Sequence, residues 1–315
     1  MKTGPFCLAM FAAAVSSAAL AGETVDLALP AAGVTATQSS APNAAPLDDR
    51  DFFSAYFADW GARAARARAS QPEWSSPLAT TTGLLEQRFR FDFDDQFAGN
   101  HTETKLLDGG RGLDLIVTDT NEIQIALPGY TLRTTPNDKG RLSGFGDWQF
   151  LRLEQRLASA PASGGDYVLT AWVAVQAPTG IKALTSNAWT YVPTIAFGKG
   201  WGSFDIQGTI AGSLPASHVN TLGDQVQVNV AFQEHLDKLF WPELEVNTTY
   251  WSGGQRDGLT QVYLTPGLVV GRFDLGDIHP TFGFGYQTAV SPDFRAKPLT
   301  PSYNHAWIFT SRFNF

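Results

Sequence analysis

From residue 85 to its last residue this sequence alternates. Apolar and polar side chains trade places with a period of two in run after run, and Gly, Pro, Asn and Asp separate the runs. Phe89, Phe91 and Phe93 alternate with Arg88, Arg90, Asp92 and Asp94. Val226, Val228, Val230 and Phe232 alternate with Gln225, Gln227, Asn229 and Gln233, and Phe282 and Phe284 with Gly283 and Gly285. The final run sets Trp307, Phe309, Phe313 and Phe315 against Thr310, Arg312 and Asn314. Successive side chains of a strand point to opposite faces, so each run has one greasy face and one polar face. Such strands can pack two sheets together, or they can close into a barrel with lipid outside and water inside. The recurrence of aromatic residues at the run ends favours the barrel, where they form interfacial girdles. An edge strand of a soluble sandwich is the weaker alternative.

The runs number about twelve, an even count as single-chain membrane barrels require. The connections fall into two sets. Short turns are expected at 118–121, 159–165, 198–200, 237–238 and 274–277, and longer polar loops at 96–110, 133–144, 177–186, 215–220, 252–258 and 291–301. Short periplasmic turns and long extracellular loops are the pattern of an outer-membrane barrel, and put both termini in the periplasm. Girdle positions follow: Trp241, Phe313 and Phe315 at the periplasmic ends, and Trp189, Tyr191, Tyr250, Trp251 and Trp307 at the outer ends. Pro193 and Pro266 each remove a ladder donor, and a bulge at each is expected. The run 148–157 changes phase near Phe150, which leaves the facing of Arg152, Glu154 and Arg156 open.

The first residues supply an address. Lys2, the apolar stretch 6–20 and the small residues Ala19 and Ala21 read as a secretory signal over residues 1–21. No later stretch reaches the roughly 18 continuous apolar residues of a membrane helix. The one cysteine, Cys7, lies inside that signal, so a mature chain would have no thiol or disulfide chemistry. Residues 22–84 read as a periplasmic lead, Ala-, Pro-, Ser- and Thr-rich up to residue 48. Within it, 49–70 carries Phe53, Tyr56, Phe57, Trp60 and Ala64 at helical spacing, with acidic residues first and arginines last, as the helix dipole favours. This amphipathic helix is expected to rest at the barrel mouth; a plug entering the lumen is the alternative. A formal charge of −8 and the lack of a basic run with interleaved aromatics speak against nucleic acid as a partner.

The last strand resembles the C-terminal strand of bacterial outer-membrane β-barrels, which implies outer-membrane lipid and the barrel-assembly machinery as partners. Further words resemble the outer-membrane family named after the MetA pathway of phenol degradation. They are Gly144-Phe145-Gly146-Asp147 opening a long strand, Pro178-Thr179-Gly180 closing the next, Thr265-Pro266-Gly267-Leu268, and the Phe-ending strand. The likeness runs over roughly 112–315. It implies a transmembrane antiparallel barrel for transport of small organic, often aromatic, solutes. It brings no catalytic motif.

The lumen candidates follow from parity. Arg88, Arg90 and Arg312 come from the first and last strands. Asp205, Glu243 and Glu245 lie roughly opposite, with Gln227, Asn229 and Tyr263 among the polar residues between. An arginine stripe facing an acidic patch sets a transverse field across a constriction, which filters solutes by charge; simple hydration of these charges is the bland alternative. The leading expectation is therefore a passive channel for a small organic solute, with no catalytic residues, cofactor or metal. An outer-membrane lipid hydrolase is a second reading, with Ser302 and His305 as the one pair to test. A non-conducting structural or surface-binding barrel is a third.

Overall fold

The computed structural model describes residues 49–136, 141–237, 239–292 and 302–315; the predicted signal and the lead up to residue 48 lie outside them. Fifteen strand segments follow two helices. They are β1 (Arg88–Phe97), β2 (Glu103–Leu107), β3 (Gly112–Ile116), β4 (Asn121–Ala126), β5 (Tyr130–Thr134), β6 (Leu142–Phe145), β7 (Trp148–Ala160) and β8 (Tyr167–Ala177). They continue as β9 (Thr190–Trp201), β10 (Phe204–Pro215), β11 (Asp224–Glu234), β12 (Phe240–Ser252), β13 (Thr260–Gly271), β14 (His279–Ser291) and β15 (His305–Asn314). Pairing is antiparallel throughout, and β15 returns to β1 in register from Arg88↔Asn314 to Phe97↔His305. The sheet is a closed barrel of twelve staves.

Three neighbouring staves are each built of two segments: β2 with β3, β4 with β5, and β6 with β7. Their breaks lie side by side, and the ladder passes through them. Asp108 N–H donates to the Asp92 carbonyl, Leu127 N–H to Arg111 and Gly146 N–H to Gly129, each at 2.7 Å. Gly112, with φ of +153°, is required at the first break, because a Cβ there would lie 2.4 Å from the Ile125 carbonyl oxygen.

Parity governs every stave. Leu153, Ile210, Leu244 and Phe284 point outward and are 53, 50, 44 and 44% exposed, while Arg152, Thr209, Glu245 and Gln287, of opposite parity on the same strands, are buried inside. An outside this apolar fits membrane hydrocarbon, and closure leaves no unpaired edge to meet it. Among the described residues, no helix is long and apolar enough to cross a membrane.

Several sequence expectations are corrected. The turn expected at 198–200 is strand; β9 runs on to Trp201 and turns at Gly202 and Ser203. The loop expected at 96–110 contains β2, and only residues 98–102 and 108–110 lie outside strands. Pro193 and Pro266 make no bulge: Pro193 pairs with Val173 and Pro266 with Leu244 in unbroken register, and on the other edge the pairing skips the proline and resumes in step. The missing N–H costs a rung and not an inserted residue. The helix expected at 49–70 is two, α1 (Asp49–Ala58) and α2 (Trp60–Ala69), meeting at Asp59. They sit at the short-turn end of the barrel, where the Tyr56 hydroxyl donates to the Val117 carbonyl (2.8 Å) and Arg156 Nη1 to the Ala67 carbonyl (2.8 Å).

Ile210 lies mid-strand on the outward face. Ile210→Arg is expected to lower unfolding free energy in lipid vesicles by about 2–4 kcal/mol, the depth-dependent cost at a bilayer midplane. Denaturant titration of the refolded variant measures it, and a loss below about 0.5 kcal/mol would take this face out of the hydrocarbon.

Candidate functional site

The lumen is occupied. Residues 71–87 leave α2, enter the barrel and reach β1 without forming helix or strand, and all but Glu73, Ala79, Thr81 and Glu86 are buried. A buried irregular segment must find partners for every peptide group. Inward side chains of the barrel supply them, and the two signs of charge divide the work. Acidic residues take the amides: Glu243 Oε1 accepts from Leu78 N–H (3.0 Å), and Glu245 accepts from Ala79 N–H (2.7 Å) and Thr80 N–H (2.6 Å). Arginines take the carbonyls. Arg312 donates to those of Ser76 and Pro77 (the latter at 2.7 Å), Arg90 to Leu78 (2.5 Å) and Arg272 to Trp74 (2.5 Å). Uncharged donors add to the set, with Gln207 on the Ser75 carbonyl (2.7 Å) and Thr170 on that of Gly83 (2.6 Å).

The apolar side chains of the segment have sockets. Leu78 fills a space floored by Gly267, Gly283 and Gly285: a Cβ on any of them would lie 2.2, 2.4 or 2.7 Å from its methyls. Leu78 also packs on Trp241 and Val269. Trp74 lies over Gly198 and Gly200 in the same way, at 2.5 and 2.6 Å from the missing Cβ atoms, and joins Leu84 and Val168. Each buried Leu side chain contributes about 1.5–3 kcal/mol by removal from water.

Beside the segment lies a second set of paired charges. Arg88 meets Asp114 (2.8 Å) and the Ser76 hydroxyl (2.6 Å), and Arg152 meets Glu122 (2.8 Å) and Glu154 (3.2 Å). Glu122 also accepts the Glu86 amide, which fixes the exit of the segment into β1. Toward the long-loop end, above Leu78 and Ala79, a chamber of 270 Å³ remains. Its wall carries Gln227, Asn229, Asn247 and Tyr263 on one side and Asp92 and Asp94 on another, with Tyr303 reaching in from the residues just before β15. Asn229, Asn247, Thr265 and Gln287 are linked in one hydrogen-bonded ladder, which the Tyr303 hydroxyl joins at Gln287.

All nine lumen candidates point inward. Arg90, Arg312, Glu243 and Glu245 converge on residues 76–80 and Arg88 on Ser76; Gln227, Asn229 and Tyr263 line the chamber; and Asp205 lies beside Gln207 (3.0 Å). The field expected across an open constriction therefore falls across a peptide backbone, with N–H on the acidic side and C=O on the basic side. The open facing of Arg152, Glu154 and Arg156 is settled inward, because register shifts flank them at 149/151 and 156/158.

Two girdle assignments are wrong. Trp241 and Trp251 are 1 and 4% exposed and face the interior. They share the odd parity of Glu243 and Glu245 on β12, and a strand cannot turn both Phe240 and Trp241, or both Tyr250 and Trp251, to one face. Trp189, Tyr191, Tyr250, Trp307 and Phe315 are exposed, and Phe313 is half-buried against Phe282. The hydrolase pair is not assembled: His305 stacks between Phe97 and Tyr286, and no hydrogen bond joins it to Ser302 among the described residues.

Sequence reasoning ended the lead at residue 84 and so missed the lumen segment, whose residues 71–84 lie inside the barrel. A signal was present. Glycine at an inward position of an alternating strand leaves a void, and Gly198, Gly200, Gly267, Gly283 and Gly285 all have inward parity, so some other part of the molecule had to fill them.

No family model matches this chain, and no curated protein matches it. Among solved structures, an outer membrane channel from Pseudomonas putida is similar at a TM-score of 0.50 and 14% identity, over 76% of this chain and 98% of that one. The NanC porin aligns at 0.43 and 9% identity over 71 and 98%, and the KdgM porin at 0.38 and 7% over 72 and 99%. The first likeness is one of fold, the closed antiparallel barrel.

Glu245→Ala strips the acceptor from the buried Thr80 amide and the half-buried Ala79 amide, and a buried amide left unpaired costs about 1–3 kcal/mol. Amide hydrogen exchange at Ala79 and Thr80 is expected to quicken by roughly ten- to hundredfold, while exchange in β13 and β14 stays slow. Unchanged exchange would mean the acidic side does not hold the segment.

Proposed function

We propose that this protein is a gated channel of the bacterial outer membrane, in which the barrel is the path for a small organic solute and residues 71–87 are its gate. The observation that carries the reading is the clamp on residues 76–80. Opposed Arg and Glu side chains hold a chain segment by its peptide groups, without a helix, a strand or a disulfide. Such a hold is a sum of hydrogen bonds worth about 0.5–1.5 kcal/mol each, more where a partner is charged, so the segment can be released without unfolding the barrel. A permanent filling would be better served by large inward side chains from the strands, as small barrels do. Here the strands contribute glycine instead.

The apolar exterior and the short-turn, long-loop division support an outer-membrane location with both termini in the periplasm. The channel description of the Pseudomonas putida barrel and the resemblance to the phenol-degradation family support a solute role, with small and often aromatic compounds as the class. The occupied lumen also favours a second reading, a non-conducting structural barrel.

Planar-bilayer conductance separates the two. The mature full-length chain is expected to be nearly silent. A chain beginning at Leu85 is expected to show steady openings, and so is full-length Gly285→Leu, whose side chain would collide with Leu78 in its socket. Silence of both variants, in protein shown to be folded by heat-shifted gel mobility, would favour the structural barrel.

A further inference from the structure

We infer that the chamber between the gate and Tyr303 binds a small primary ammonium compound with an apolar body. The inference deepens the channel reading, since a transported solute would meet this chamber before the gate. Its basis is an imbalance of charge. Asp92 is committed to Arg90 (2.8 Å) and Arg111 (2.9 Å). The other donors of Arg111 go to the Thr81 hydroxyl (3.3 Å) and the Ala79 carbonyl (3.4 Å). Asp94, two residues along β1 and in the chamber wall, has no hydrogen-bond or ion-pair partner among the described residues. Asp108 lies next to Asp92 across the ladder; it is 3% exposed, and both its carboxylate oxygens lack partners. Arg312 pairs with Arg90 across the ladder, and Glu243 and Glu245 face them from the clamp. Asp92, Asp94, Asp108, Glu243 and Glu245 therefore stand against Arg90, Arg111 and Arg312, five carboxylates against three guanidiniums in a confined lumen. An uncompensated charge taken out of water is costly, and a cation seated at Asp94 relieves it.

The rest of the chamber suits an organic body better than a bare ion. Among the described residues no three carboxylates, histidines or cysteines converge as metal ligands. In the same chamber wall as Asp94 the rings of Tyr263 and Tyr303 stack, with centroids 4.7 Å apart. Their hydroxyls are engaged, Tyr263 with the Tyr303 carbonyl (3.0 Å) and Tyr303 with Gln287, so they offer ring surface and not donors. Leu78 below and Ile308 beside Asp94 are apolar. A carboxylate close to aromatic and aliphatic surface is the complement of an amine on a hydrocarbon frame, with a cation–π contribution from the tyrosines. A volume of 270 Å³ lies just below the range of drug-sized pockets and takes about a dozen non-hydrogen atoms at most. A neutral alcohol or polyol of that size would leave the excess charge unmatched, and a carboxylate would add to it.

Isothermal titration of the mature full-length protein in detergent, with benzylammonium, benzyl alcohol and benzoate as probes, tests this. Benzylammonium is expected to bind one per chain, with benzyl alcohol about tenfold weaker and benzoate silent. Asp94→Asn is expected to weaken benzylammonium about tenfold and to leave benzyl alcohol unchanged, while Asp94→Glu retains benzylammonium binding. Equal affinity for the alcohol, binding of benzoate, an unaffected Asp94→Asn, or no benzylammonium binding by folded protein would each overturn the proposal. The bilayer experiment judges the channel reading separately. Conductance of Gly285→Leu without benzylammonium binding removes the ligand alone, whereas binding with all variants silent leaves the ligand and removes the channel.

Discussion

The peptide groups of the barrel wall and of the segment buried in its lumen have to be paired from within the protein. In the wall, hydrocarbon outside offers no hydrogen bonds, so the strands must pair all the way round, and the β1–β15 register closes the last gap. In the lumen the same demand returns in another form. Residues 71–87 have no regular structure, and a chain buried in that state is tolerated only because the inward side chains stand in for a ladder. The identity of the lumen charges follows from this. Carboxylates accept from amides and guanidiniums donate to carbonyls, so the placement of Glu243 and Glu245 facing Arg90 and Arg312 matches the polarity of the backbone between them.

Steric fit works beside this electrostatic fit. The sockets under Trp74 and Leu78 are made by leaving side chains out, which lets an irregular strand of peptide approach the wall to van der Waals distance. The two devices have different consequences. Apolar sockets position the segment and resist water, while the hydrogen bonds can be exchanged one for another with water or solute. A segment held this way has a well-defined seat made of separable contacts, and the proposed gating rests on that.

The sequence showed the outward half of the barrel better than the inward half. Outward residues such as Phe284 and Phe309 answer to a uniform solvent, so period two and hydrophobicity suffice to read them. Trp241 and Trp251 were misread because an aromatic residue at a strand end is equally at home in a lipid interface and in a packed interior; only counting parity from Glu243 tells them apart. Gly198 and Gly200 were read as a turn because glycine breaks strands more often than it makes room in them. The clamp residues were legible as inward charges, yet their partner was not, since nothing local to a segment like 71–87 states where it goes.

By itself the sequence determined the closed antiparallel barrel, its apolar outer surface and the inward parity of Arg88, Arg90, Arg312, Asp205, Glu243 and Glu245. These follow from a repeat that each strand carries on its own. Only the tertiary structure decided that the lumen is filled, that opposed charges grip a backbone, and that a small acidic chamber is left above it. Those features depend on residues such as Thr80 and Asn247, 167 positions apart in sequence, and Thr80 and Glu245, 165 apart, meeting across the barrel. No local propensity encodes such a meeting; it is set by closure, which brings distant strands round a single axis and leaves one space for the segment between them.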